Sequence, residues 1–217
     1  MHRVTFHVQQ PGESGTGEWM TVVTDSTGAL SRPADPDLFG YRFDGWYADP
    51  DFSAGSKYDF REDGTAQLDA DLELYGRYDL RVSVDVPLQA KATVDAAGEW
   101  SPGEVEFKSL TPATVRVVGV SGELAPHASE LFPNGAEKVG VKATFGRASG
   151  AVVPGSPDPA ERSVGLSASL APAAPGAPSL LPCSVAVEPN GSQVSYQPGD
   201  GMASFARLSW TVEVAVP

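Results

Sequence analysis

Apolar and polar residues alternate along most of the chain with a period of two. No window keeps helical spacing for more than about two turns. Arg3-Val4-Thr5-Phe6-His7-Val8 sets Val4, Phe6 and Val8 on one face of a strand. A polar, glycine-rich loop from Gln9 to Gly17 leads into a second strand at Trp19-Met20-Thr21-Val22-Val23, so the two form a hairpin. Asp25-Ser26-Thr27-Gly28 is turn chemistry. Between Arg32 and Gly40 the residues predict one short helical turn, with Asp35 as cap, Pro36 at the first helical position and Gly40 as terminator. Gly40 to Tyr47 is extended. Plain alternation puts Tyr41, Phe43 and Gly45 on one face and Arg42, Asp44 and Trp46 on the other, with Gly45 leaving room for a neighbouring ring. Asp49-Pro50-Asp51 turns the chain, Lys57 to Phe60 is a short extended piece, and Asp71 to Tyr78 is a strand with Leu72, Leu74 and Gly76 inward.

From Asp79 the alternation continues in many short pieces: Arg81 to Pro87, Ala90 to Asp95, Glu104 to Lys108, Ala113 to Val120, Lys138 to Phe145, Val164 to Leu170, Cys183 to Val187, Gln193 to Tyr196 and Ala203 to Val214. Short strands at this spacing, with turn residues between them, predict an antiparallel β-sandwich. The stretch from Ala171 to Pro182 is rich in Pro and Ala and is read as a loop within that sandwich, since strands resume after it.

Composition sharpens this picture. The 217 residues contain 23 Gly and 19 Pro with no collagen period, which suits many turns between strands. The length accommodates one large β domain or two ordinary ones. The formal net charge is −13. Nucleic acid is excluded as a partner, because phosphate binding needs clustered Lys and Arg. An anionic membrane surface is disfavoured for the same reason. The acidity itself is read as solubility. With one cysteine, Cys183, no intramolecular disulfide can form, and its apolar flanks predict a buried, inert thiol. No run of about 18 apolar residues occurs, so no membrane insertion is expected in this segment. Strand alternation begins at Arg3, where a signal peptide would place its apolar run.

At this point the first region carries a resemblance. Gly40-Tyr41, Phe43, Gly45-Trp46-Tyr47, Tyr58-Asp59-Phe60 and Leu72-x-Leu74-Tyr75 follow one another in an order that resembles the Listeria–Bacteroides repeat, or internalin B-repeat, over residues 1–78. Two departures are visible: Tyr78 stands where the family has Trp, and the loop between the first two strands is longer. The resemblance implies a small β-grasp-like module of surface-exposed bacterial proteins, often in tandem, of which this chain holds one copy. The second region is diffusely similar to the β domains of fimbrial, WxL-like and other wall-associated proteins of Gram-positive bacteria. The similarity lies in Val84 to Leu88, Thr93 to Asp95, Phe107 to Ser109 and Val115-x-Val117-x-x-Val120. The expected fold is therefore mostly β: a β-grasp-like repeat domain at 1–78, then an antiparallel β-sandwich at 79–217.

Candidate chemistry is sparse. His2, His7 and His127 show no metal spacing. No glycine-rich loop joins a strand to a helix, and no nucleophile elbow is present. Asp35, Asp37, Asp49 and Asp51 lie near turns, where Asp beside Pro is ordinary turn chemistry rather than a calcium loop. Asn134 and Asn190 each precede glycine and read as turns, so no Lys–Asn crosslink is expected. Trp46 and Trp210 fall within apolar strand patterns and are assigned to the core. Trp19 and Trp100 abut Glu and loop residues and are the candidate ligand contacts, as surfaces on which a sugar could stack. No catalytic residue, metal site or cofactor is expected. The expected function is that of a non-enzymatic segment of a bacterial cell-surface, wall-associated protein, acting in adhesion or as a spacer that presents a binding face. The competing reading is a carbohydrate-binding or accessory module of a surface enzyme. The expected partner class is a host or neighbouring-cell protein or a glycan, and the isolated segment is expected to be a monomer.

Overall fold

The computed structural model describes residues 1–9, 16–61, 63–195 and 203–215. Most of the predicted Gln9–Gly17 loop, and Tyr196, lie outside them. The chain divides into two compact units, Met1–Val82 and a second beginning at Ser83. The regular structure of both is almost wholly strand, as the alternation predicts.

The first unit contains β1 (Arg3–Gln9), β2 (Thr16–Val23), β3 (Ala29–Ser31), β4 (Tyr41–Tyr47), β5 (Thr65–Gln67) and β6 (Leu72–Leu80). Four of them form one sheet in the order β2-β1-β6-β4, and β3 pairs with β5 in a small second ladder. The sheet is mixed. β1 runs antiparallel to β2 and parallel to β6, with Val4 opposite Leu72 and Val8 opposite Gly76. One face of the sheet is apolar: Val4, Phe6, Leu30, Trp46, Ala66 and Leu74 form its buried cluster. Burying each such large side chain is worth about 1.5–3 kcal/mol.

The helical turn expected between Arg32 and Gly40 is absent. This segment is irregular up to a turn at Phe39–Gly40. Two prolines account for the difference, because the residue before a proline is pushed out of the helical region. Asp35, the expected cap, gives its carboxylate to Arg32 at 2.6 Å instead. Pro36 is buried, and its carbonyl accepts the Tyr78 hydroxyl at 3.4 Å.

The second unit contains β7 (Val84–Asp85), β8 (Thr93–Val94), β9 (Trp100–Ser101), β10 (Gly103–Ser109), β11 (Thr114–Leu124), a four-residue helix α1 (Ala128–Leu131), β12 (Gly140–Phe145), β13 (Ala148–Val152), β14 (Ser163–Leu170), β15 (Ser179–Glu188) and β16 (Ala206–Ala215). A five-stranded sheet, β13-β12-β15-β10-β7, faces a three-stranded sheet, β14-β11-β16, and both are antiparallel throughout. Phe107, Val115, Val117, Val120, Val141, Phe145, Leu170 and Cys183 fill the space between them. Trp210 of β16 meets Phe107 and Phe145 edge-on across the sheets, with ring centres 5.1 and 5.7 Å apart. The architecture is the sandwich that the short strands predict.

Three details depart from the sequence reading. The Pro/Ala-rich stretch ends earlier than expected, since β15 begins at Ser179 and includes Pro182. Pro182 pairs only with Glu106 of β10, because β12 joins β15 from Ser184 onward. Proline is tolerated there because the flank toward β12 needs no donor from it. Residues 193–195 form no strand. The gap in Val115-x-Val117-x-x-Val120 is a β-bulge, where the register of β11 slips between Val117 and Gly119 against both neighbours and Val120 returns to the core side.

Gly76 decides whether the first core closes. A Cβ built there would lie 3.0 Å from the Phe43 ring and 3.1 Å from the Trp46 ring. Gly76→Ala is expected to destabilise the first unit by about 1–3 kcal/mol through overpacking. The expected readout is a lower urea midpoint for that unit with the second unit unchanged. An unshifted midpoint would contradict the packing described.

Candidate functional site

The densest side-chain chemistry lies on the two faces of the first sheet, and β4 supplies both. Plain alternation would put Trp46 opposite in face to Phe43. It does not, because the β4–β6 register slips between Phe43 and Gly45. This bulge at Asp44 uses Gly45 at φ 144°, a conformation that favours glycine. Trp46 therefore joins Phe43 on the inner face. Its ring meets Phe43 at 5.1 Å and Phe6 at 4.7 Å, both edge-on. Trp46 is 2% exposed, and among the described residues its indole Nε1 has no hydrogen-bond partner.

Trp19 stacks on this cluster from the far edge of the sheet. A second bulge puts it there: Phe6 pairs with Met20 and His7 with Glu18, so Trp19 has no opposite residue. Its ring lies 5.8 Å from Trp46 at 25°. It remains 40% exposed, with Trp46 behind it as support. An indole held this way offers a flat apolar surface for stacking. Trp100, the other candidate, is half-buried. It stacks on Phe132 at 6.1 Å and belongs to a small second cluster with Ala136 and Val139. Trp19 belongs to the first unit and Trp100 to the second.

The outer face carries a cluster that the sequence reading missed. His7 of β1 stacks on Tyr75 of β6 at 4.9 Å and 15°. The Tyr75 hydroxyl donates to Glu73 at 2.8 Å, and Glu73 lies 3.8 Å from His7 Nε2. Tyr47 sits opposite Tyr75, edge-on to Phe52 at 5.4 Å, with Lys57 and Arg77 within about 6 Å of its ring. Alternation alone marks His7 and Tyr75 as outward-facing. Their meeting needs the parallel β1–β6 register, which no local pattern encodes.

The bulge residue Asp44 joins this outer cluster. Its carboxylate accepts a short hydrogen bond from the Tyr47 hydroxyl and another from Lys57 Nζ at 3.3 Å, while Lys57 also donates to the Asp44 carbonyl at 2.8 Å. The Tyr47 bond above all, and then Lys57, hold the Asp44 carboxyl below the usual carboxylate range. The same bond raises the Tyr47 hydroxyl above its ordinary value.

Elsewhere the acidic side chains serve their own turns. Asp25 accepts from the Thr27 hydroxyl, the Thr27 amide and the Ala29 amide, which lowers its pKa. Asp49 accepts from the Ser53 hydroxyl and the Asp51 amide, with the same effect. Among the described residues no group of three His, Cys, Asp or Glu side chains could hold a metal ion. His127 pairs with Glu130 at 2.8 Å on the surface. Cys183 is buried, and desolvation pushes its thiol up to about 11, far from a reactive thiolate. Asn190 and Gly191 form a tight turn with φ of 51° and 85°, closed by Ser192 N–H donating to the Pro189 carbonyl at 2.9 Å. No helix among the described residues is long and apolar enough to cross a membrane.

Residues 2–76 match the family model of the Listeria-Bacteroides repeat domain. The match covers nearly the whole first unit, including both aromatic clusters. This repeat family is found in bacterial surface proteins. Neither the curated proteins nor the solved structures contain a match to the chain.

The Asp44–Tyr47 bond predicts a pH window. Asp44 has a depressed folded pKa, so its contribution is full above the unfolded value of about 4 and is lost as pH falls through the folded value. Tyr47 has a raised folded pKa, so its share is full below about 10 and is lost as pH rises past the folded value. The melting temperature of the first unit is expected to be flat between these limits and to fall on both sides. Tyr47→Phe should shrink both shoulders, leaving on the acid side the part that Asp25 and Asp49 contribute and on the alkaline side the part that Tyr75 contributes. Unchanged shoulders in that variant would remove the bond as their cause.

Proposed function

We propose that this chain is a non-enzymatic segment of a bacterial cell-surface protein, wall-associated, that acts as a structural spacer presenting an adhesive face. The family match to the first unit supports the setting. The parallel pairing of β1 with β6 carries the mechanical part. The start of β1 and the end of β6 lie at opposite ends of one parallel ladder. A pull on the two ends of the unit therefore loads those hydrogen bonds together, in shear. An antiparallel hairpin pulled from its open end loses its bonds one at a time. On the outer face the carboxylates of Asp44 and Glu73 are engaged by Tyr47, Lys57 and Tyr75, which favours a structural role over a catalytic one.

The expected result in a single-molecule pulling experiment on the full chain is directional. Handles at residues 1 and 82 shear β1 against β6 and should require clearly higher force than handles at residues 1 and 25, which peel β1 from β2. Forced rupture reports the unfolding barrier directly. Equal forces in the two geometries would sink the spacer reading.

A second reading, a carbohydrate-binding module, is favoured by one observation: the exposed ring of Trp19 backed by Trp46. A glycan array probed with the wild-type chain, Trp19→Ala and Trp100→Ala separates the readings. Sugar binding that Trp19→Ala abolishes and Trp100→Ala leaves intact would support this second reading. An array without any bound glycan would leave the spacer reading alone.

A further inference from the structure

The strand β16 ends its three-stranded sheet. Its inner flank pairs with β11 from Ala206 opposite Leu124 to Ala215 opposite Thr114. Among the described residues its outer flank has no backbone partner. The other long edges are managed. β2 is broken by the bulge at Trp19. The outer flank of β4 is taken by Lys57 and by Tyr58, whose amide donates to the Trp46 carbonyl at 2.8 Å. At β13 and β14 the two sheets approach so closely that a Cβ on Gly150 would meet Val164 at 2.7 Å. β16 has ten residues in regular alternation, with no proline, lysine or bulge of its own. Natural proteins blunt or cover such an edge because it templates the addition of another strand. Its inward side chains Leu208, Trp210, Val212 and Val214 are only half-buried although they pack on the main core, so apolar surface stands open along the same edge.

The residues along this edge specify the occupant. Laid antiparallel on a second copy of itself about Trp210, the strand Ala206-Arg-Leu-Ser-Trp-Thr-Val-Glu-Val-Ala215 is self-complementary. Arg207 falls opposite Glu213, Leu208 opposite Val212, Ser209 opposite Thr211, and Trp210 opposite its own counterpart. Each pair lies on one face, since the positions differ by an even number. The neighbouring strand extends the match: Glu123 of β11 lies opposite Arg207, and Arg116 lies opposite Glu213. Across the joint the outward face then reads Glu123, Arg207, Glu213 of the second copy and Arg116 of the second copy. The charges alternate in sign, and two-fold symmetry repeats the row. Opposite charges facing across strands stabilise the pairing and like charges oppose it.

We propose that two copies of this chain associate through β16, antiparallel and centred on Trp210, joining two three-stranded sheets into one continuous sheet. This is an isologous contact, with the same surface used by both partners. It goes beyond the spacer role and departs from the monomer expected of the isolated segment. A single strand-to-strand joint is small, which places it among weak, reversible contacts.

Sedimentation of the full chain tests the proposal, over concentrations from about 1 μM to about 500 μM. The expected result is a concentration-dependent shift from monomer to dimer. Arg207→Glu and Glu213→Arg should each weaken dimerisation about ten-fold or more, because each turns two attractive pairs into repulsive ones. Mixing the two variants should restore it, since both cross-joint pairs of the mixed dimer again set a glutamate of one copy against an arginine of the other. A wild-type chain that stays monomeric throughout overturns the proposal, as does an Arg207→Glu variant that dimerises like the wild type. Hydrogen exchange on the wild-type chain reads the same edge without any substitution. Alternate amides of β16 should exchange more slowly at high concentration than at low, and identical exchange at both would also overturn it.

Discussion

The first unit depends on one close approach, the rings of Trp46 and Phe43 lying over the bare backbone of Gly76. Trp46 stands directly opposite Gly76 in the β4–β6 ladder. With no side chain on that residue, the largest ring of the unit can lie across the sheet and reach Phe6 on β1. The bulge at Asp44 is what turns Trp46 to this face. The same bulge leaves the Asp44 carboxylate on the other side, beside Tyr47 and Lys57. One backbone irregularity thus builds the inner core and anchors the outer cluster. This explains why glycine and aromatic residues alternate so closely in Gly40–Tyr47 and again in Tyr75-Gly76.

The second unit solves the same problem with different parts. The bulge in β11 brings Val120 back to the core side after the irregularity at Val118. Phe107, Phe145 and Trp210 then link the two sheets edge-on. One end of the sandwich closes where Gly150 lets β13 approach β14. The other end is left to β16. A net charge of −13 sets a chain against its own copy at long range. Yet β16 and β11 carry a balanced set of charges on their outward face, two positive and two negative, so the local field differs from the global one.

The acidic residues show the same local economy. Asp25 and Asp49 read in sequence as turn residues. Each proves to be tied to amides and hydroxyls within four residues. These carboxylates shape the loops.

Most strands of both units were legible in the chain itself, because a period of two is a local property and burial on one face enforces it. Turn chemistry was legible for the same reason at Asp25 and at Asn190-Gly191. The spacing of Gly40-Tyr41, Phe43 and Gly45-Trp46-Tyr47 also sufficed to indicate the repeat, and the family match to residues 2–76 agrees. The helical turn at Asp35 failed because cap and proline signals are weak beside two prolines and a buried Pro36. Tertiary structure alone decided the rest. Which face Trp46 occupies depends on a register slip that only the partner strand reveals. His7 meets Tyr75 because two strands about seventy residues apart in sequence run parallel. Trp100 is half-buried because Phe132 packs on it, and Trp19 is exposed because its bulge lifts it onto Trp46 at a sheet edge. The alternation in a strand says that one face will be buried. What covers that face, and which edge is left open, is set by contacts between residues that sequence spacing does not relate.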